Sequence, residues 1–61
     1  MTSKNVRMIE IVSHLADQAR EYDRRGDTVL RDQTIREIYD AAPTRAYADK
    51  VAESIMTPAA E

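Results

Sequence analysis

The spacing of the apolar residues between Lys4 and Arg25 constrains the fold of this chain more than any other feature. When successive residues are placed about 100° apart around a helix axis, the apolar side chains fall within an arc of about 160°. The arc contains Met8, Ile9, Ile11, Val12, Leu15, Ala16, Ala19 and Tyr22. Gly26 follows, and glycine commonly ends a helix because it adopts the left-handed conformation easily. The pattern predicts a long amphipathic helix over residues 4–25.

Two shorter segments repeat the helical period. The first covers residues 28–42, with Asp27 or Thr28 as the N-cap. It ends before Pro43, because proline disfavours helical geometry at the residue that precedes it. A later start, capped by Asp32, is an alternative because Val29 lies outside the apolar arc. The second segment covers residues 44–56, and Thr44 is its expected cap.

The connections between these segments are short, which favours one compact arrangement of the whole chain. A turn at Gly26 lets the second helix fold back along the first, and Pro43-Thr44 forces a corner between the second and third. We therefore expect a single all-α domain over residues 1–61, a long N-terminal helix packed by a bent pair of shorter ones. Two charged residues interrupt the apolar arcs, Asp23 in the first helix and Arg31 in the second.

The supply of core residues is small for a chain of this size. The 61 residues include eleven Val, Ile and Leu, three Met, three Tyr, and no Phe, Trp or Cys. Domains near 60 residues bury only about 60% of the surface that the unfolded chain exposes. Disulfides and thiolate-bound metals are excluded, so association with a second chain is the expected additional source of stability.

Composition also favours one cellular setting over others. Positive and negative charges are mixed along the chain, and the net charge is −2. No segment has the pattern of a signal peptide or approaches the roughly 20 apolar residues of a membrane span. We therefore expect a cytoplasmic protein. Arg exceeds Lys seven to two and Ala is frequent, a composition associated with bacterial or phage genomes of high GC content.

The width of the apolar face of the first helix predicts an interaction surface. A helix that packs on one neighbour commonly shows an apolar stripe of about 100°, and this arc is wider. The excess is expected around Met8, Ile11, Leu15 and Tyr22, or alternatively around Ile9. Leu15 is placed near the centre of the arc and is expected to be buried. The competing interpretation is that the entire face belongs to the intramolecular core.

Few residues of the sequence are candidates for catalysis or for holding a metal. Glu10, His14 and Asp17 share one face of the first helix, since spacings of three and four return to the same side. That trio is interpreted as a solvated charged face, because one helix supplies too few ligands for a closed site. His14 is the only histidine, and no serine has evident base and acid partners. We expect no enzymatic activity, no metal and no cofactor.

A DNA-binding function is the alternative to protein binding. The second and third helices resemble a helix-turn-helix in order, and Arg36, Arg45 and Lys50 are the residues that would contact DNA. Asp49 and Glu53 share the exposed side of the third helix, however, and phosphate contacts supply much of the affinity for DNA. The leading hypothesis is therefore a non-enzymatic protein-interaction module, a regulator, inhibitor or adaptor, which acts as a homodimer on a protein partner.

Overall fold

Three α-helices make up the described part of the chain. The computed structural model describes residues 3–56, with α1 over Ser3–Arg25, α2 over Thr28–Ala41 and α3 over Arg45–Met56. No strand occurs within this range, so the all-α architecture of a long helix packed by two shorter ones is confirmed. The predicted helix bounds agree with the observed ones to within one residue. Residues 1–2 and 57–61, which were predicted to share the domain, lie outside the described range.

Local capping signals determine where α1 ends and α2 begins. Gly26 has a φ of +81°, the left-handed conformation that terminates a helix. The carboxylate of Asp27 accepts a hydrogen bond from the backbone N–H of Leu30 at 3.4 Å, so Asp27 is the N-cap of α2. The alternative start at Asp32 is therefore wrong. Val29 lies inside α2 although it is 65% exposed.

The corner between α2 and α3 depends on Pro43. Ala42 precedes this proline and adopts an extended conformation (φ −69°, ψ 147°), which ends α2 one residue earlier than predicted. Thr44 then caps α3, because its Oγ1 accepts a hydrogen bond from the backbone N–H of Tyr47 at 3.1 Å. A connection of three residues thus reverses the chain and lays α3 against both other helices.

The core lies where the three helices meet and is built largely from small side chains. Its buried members are Val12, Ala16, Ala19, Ile35, Ile38, Ala48, Ala52 and Ile55. Alanines on α1 and α3 let the helix axes approach closely, and the isoleucines fill the space that remains. Thr34 is also buried, and its hydroxyl donates a hydrogen bond to the carbonyl oxygen of Leu30 at 2.8 Å. Every buried polar side-chain atom in the described range has such a partner.

The helices differ in length, and the difference exposes one end of α1. With 23 residues α1 is about 34 Å long, whereas the 14 residues of α2 span about 21 Å. Because α2 begins beside the C-terminal end of α1, it does not reach the first turns. Val6 and Ile9 in those turns are 54% and 41% exposed. α3 lies beside the C-terminal half, where Arg20 of α1 donates a hydrogen bond to Ser54 Oγ at 3.2 Å.

Candidate protein-interaction surface

The four residues predicted as an interface form a partly accessible strip along α1. We call this strip of Met8, Ile11, Leu15 and Tyr22 the α1 flank. Spacings of three, four and seven residues place them on the same side of the helix. Ile11 is 46% exposed, and the other three are half-buried. Leu15 packs against the core, so the strip joins the hydrophobic interior to the surface.

The centre of the buried face of α1 differs from the sequence interpretation, which placed Leu15 there. Val12 and Ala19 occupy the centre and are 1% and 0% exposed, with Ala16 beside them. The short side chains of Ala16 and Ala19 and the compact, branched Val12 occupy this centre, whereas the longer Leu15 lies at its edge and is half-buried. The large apolar residues of α1 are thus left for the side of the helix, where another chain can reach them.

A second exposed apolar strip lies on the opposite side of α1. Val6 and Ile9 form it, at about 60–120° from the centre of the buried face. Ile9 was the alternative interface centre in the sequence interpretation, whereas Val6 was not included in the apolar arc. On α2, Leu30 is 39% exposed near the Tyr22 end of α1, because α2 begins there. The α1 flank is the longer of the two strips, since it extends over four helical turns.

The two charged residues that interrupt the apolar arcs bind each other. Arg31 Nη1 donates to Asp23 Oδ1 at 2.6 Å, and Arg31 Nη2 lies 3.0 Å from Asp32 Oδ1. The Arg31 side chain is only 17% exposed. The hydrogen bond that Arg31 donates to Asp23, followed by those to Asp32, raises the pKa of Arg31 above its ordinary value. Arg31 therefore remains charged, and the pair joins α1 to α2 beside their turn.

A polar contact also joins α2 to α3. The hydroxyl of Tyr39 donates a short hydrogen bond to Asp49 Oδ1. This bond, then partial burial and the negative charge of Asp49, raises the pKa of Tyr39, while Arg45 acts in the opposite direction. The hydrogen bond ties α3 to α2 on the side of Tyr39 and Asp49.

The residues of the DNA-binding alternative are all exposed but do not share one side of α3. Arg45 and Lys50 lie about 140° apart around its axis. Asp49 follows Arg45 by one turn, and Glu53 is adjacent to Lys50 on the helix surface. Arg36 belongs to α2 and lines a groove there with Ile35 and Tyr39. A concentrated basic surface is not formed by these three residues.

Two grooves between the helices lie within residues 3–56. The one between α1 and α3, beside Val12 and Tyr47, has a volume of about 180 Å³, below the roughly 300–1,000 Å³ of most small-molecule sites. A second groove, along α2 and α3, measures about 380 Å³, and Tyr39 and Met56 at its wall are 38% and 53% exposed. The first groove is thus smaller than most small-molecule sites, whereas the second reaches that size but has exposed side chains at its wall.

The charged face of α1 is accessible to solvent. Glu10, His14 and Asp17 are all exposed. Across residues 3–56, no group of three or more His, Cys, Asp or Glu side chains is arranged to hold a metal ion. Among the three helices of that range, none is both long and apolar enough to cross a membrane.

Comparison with known proteins yields no relative. No model of a protein family matches the chain, and no curated protein or solved structure shows significant similarity to it.

Proposed function

We propose that the chain is a non-enzymatic protein-interaction module, a small regulator, inhibitor or adaptor that acts as a dimer in the cytoplasm. Its contact surface is the α1 flank. The observation that carries this proposal is the 46% exposure of Ile11 within a strip of large apolar residues. The absence of cysteine fits a reducing compartment.

The energetic argument rests on where the large apolar residues lie. Apolar surface removed from water contributes roughly 25 cal/mol per Å². Half of the eight core residues are alanines, so the core itself buries little area for each residue. Met8, Ile11, Leu15 and Tyr22 retain exposed area that a second protein can cover. Binding there would add stability that the small core does not supply.

The chemistry of the α1 flank also fits a protein partner. Methionine is unbranched and adapts to irregular surfaces, while tyrosine combines a large apolar ring with a polar tip. Both residue types are enriched at protein interfaces. Met8 and Tyr22 lie toward the two ends of the strip, with Ile11 and Leu15 between them. This order gives an apolar centre with more adaptable ends.

Two isoleucines provide a matched test. Ile9 and Ile11 are on the same helix and are 41% and 46% exposed, but they lie on opposite sides. We expect Ile11→Ser to lose the partner proteins that the wild-type chain captures from a lysate of its host, as identified by mass spectrometry. Ile9→Ser should retain them, because it introduces the same polarity away from the strip. Circular dichroism confirms that both variants remain helical.

The opposite result has a clear meaning. Equal capture by both variants would refute the α1 flank as the contact surface. Binding of generic duplex DNA that weakens steeply with salt and is lost in Arg45→Ala and Lys50→Ala would support the DNA-binding alternative instead.

A further inference from the structure

We propose that the α1 flank binds a second copy of this chain, with the two α1 helices antiparallel and the two His14 side chains facing each other at the symmetry axis. This inference rests on the proposed function, since it names the partner of the same surface. Two features of α1 support it, the spacing along the strip and the charges beside it.

The spacing along the strip is that of a coiled coil. The side of α1 that carries the flank reads Lys4, Met8, Ile11, Leu15, Gln18 and Tyr22. Successive members are alternately four and three residues apart, so the pattern repeats every seven residues, the heptad spacing that keeps a contact strip facing a partner helix. All six lie within the observed helix Ser3–Arg25. The strip is therefore continuous over five intervals.

An antiparallel arrangement pairs the members of this strip by size and polarity. If residue 13 lies at the centre, Ile11 packs on Leu15 of the second copy, and the reciprocal contact forms a second apolar layer. Met8 then meets Gln18, and Tyr22 meets Lys4. The exposed isoleucine thus lies against the half-buried leucine at the middle of the interface, and the polar members lie toward its ends.

The charges beside the strip select the antiparallel direction. Arg7, His14 and Glu21 each precede a member of the strip by one residue and line its solvent edge. In antiparallel coiled coils this edge of one helix faces the same edge of the other, so Arg7 meets Glu21 twice and His14 meets itself. Arg7 and Glu21 each lie seven residues from His14, so this edge of one helix complements the same edge of an antiparallel copy.

In a parallel arrangement, none of these charges would pair with an opposite charge across the interface. It would set this edge against the opposite edge of the second helix, which consists of Asn5, Val12 and Ala19. These residues are uncharged, so a parallel pairing would leave Arg7, His14 and Glu21 without charged partners across the interface. Opposed helix dipoles also favour the antiparallel direction.

The carboxylate of Glu21 is available for the pairing with Arg7. Its side chain is 45% exposed, and it lies 3.7 Å from Arg24 and 3.2 Å from Arg25 of its own helix. Solvent-exposed pairs of this kind contribute little and exchange readily. The second copy therefore adds a cation without breaking a buried interaction.

Single cysteines test both the partner and the direction, because the chain has none of its own. With a short bis-maleimide at micromolar chain concentration, His14→Cys should cross-link to itself. Arg7→Cys alone should not, since its two copies would lie about 18 Å apart along the axis when residue 13 is at the centre. A mixture of Arg7→Cys and Glu21→Cys should cross-link between the two species. Ser13→Cys, on the opposite side of α1, is the control and should remain without a cross-link, although the chain still dimerises.

Charge reversal gives an independent measurement by sedimentation equilibrium. Arg7→Glu and Glu21→Arg should each weaken the dimer about tenfold, since each replaces two attractive pairs with two repulsive ones. The double variant should recover wild-type affinity, whereas Arg36→Glu on α2 should leave it unchanged.

Two outcomes would overturn the inference. Self-cross-linking of Arg7→Cys would indicate parallel helices. A wild-type chain that sediments as a monomer would exclude a second copy as the occupant. In that case the dimer in the proposed function would be refuted too, whereas loss of captured proteins in Ile11→Ser but not in Ile9→Ser would still support a protein-interaction module with a different partner.

Discussion

The buried face of α1 and the α1 flank are only a fraction of a turn apart, yet they use opposite kinds of side chain. The buried face consists of Val12, Ala16 and Ala19, whereas the flank carries Met8, Ile11, Leu15 and Tyr22. Small residues are favoured where close contact between helix axes is needed, and large ones where the surface faces outward. Burial on one helix therefore follows the space available between axes rather than hydrophobicity alone.

The largest expected effect comes from the side chain that fills the space between the small residues. Ile38 of α2 is 0% exposed, and Ile38→Ala should lower the free energy of unfolding by about 2–5 kcal/mol because it leaves a cavity. Urea denaturation followed by circular dichroism measures the loss.

The matched change on the flank is Ile11→Ala, compared at a concentration where the chain is monomeric. It should cost less than about 1 kcal/mol, since Ile11 is already 46% exposed. Similar losses from both substitutions would remove the distinction between the two regions.

An intermediate loss of stability is expected when a large side chain, of the kind found on the α1 flank, is placed on the buried face of α1. Ala19→Leu should destabilise the chain by about 1–3 kcal/mol, because a fully buried alanine between helices has no room for a larger side chain. Alanine and leucine have similar helix propensities, so the loss reports packing. Gln18→Leu places the same residue at the exposed neighbouring position and should be nearly neutral in the monomer. A stable Ala19→Leu variant would show that the helix axes can separate.

The smallest effect on stability is expected from the polar contact between α2 and α3. This contact lies away from both the buried face of α1 and the α1 flank. The pKa of Tyr39 is raised in the folded chain, so its stabilising contribution is present below the ordinary tyrosine pKa of about 10. The contribution is lost as the pH rises through the higher folded value. The ultraviolet titration of the wild-type chain minus that of Tyr39→Phe isolates this group. Asp49→Ala should shift the difference curve to lower pH, and an unchanged curve would contradict the hydrogen bond as the cause.

The sequence alone was sufficient to predict the three helices and to show which apolar residues share the side of α1 that we call the α1 flank. Gly26, Asp27 and Thr44 are local signals, because each acts on backbone groups within a few residues of itself. The shared side of Met8 and Ile11 follows from helical geometry alone. Such features require no knowledge of how the helices pack.

Features that depend on packing between helices could not be predicted. The position of Leu15 was wrong because a helical wheel weights alanine and leucine alike by direction, whereas the distance between axes decides which one is buried. Asp23 and Arg31 were each visible as an interruption of an apolar arc. Their pairing depends on the alignment of α2 with α1, which the period of either helix leaves undefined. The contact of Tyr39 with Asp49 depends in the same way on the corner at Pro43.

The pair of Asp23 and Arg31 has a consequence for how α1 and α2 recognise each other during folding. The alanines on the buried face of α1 leave few protruding side chains there, so α2 can shift along that face with little change in apolar contact. A shift of α2 by one turn, about 5.4 Å, would separate the two charges and leave a carboxylate facing the apolar side of α2. A hairpin of α1 and α2 in a shifted alignment is therefore less stable, although its hydrophobic contacts are nearly as favourable. The single ion pair beside the Gly26 turn thus favours one alignment of α2 along α1. The small residues alone would permit several.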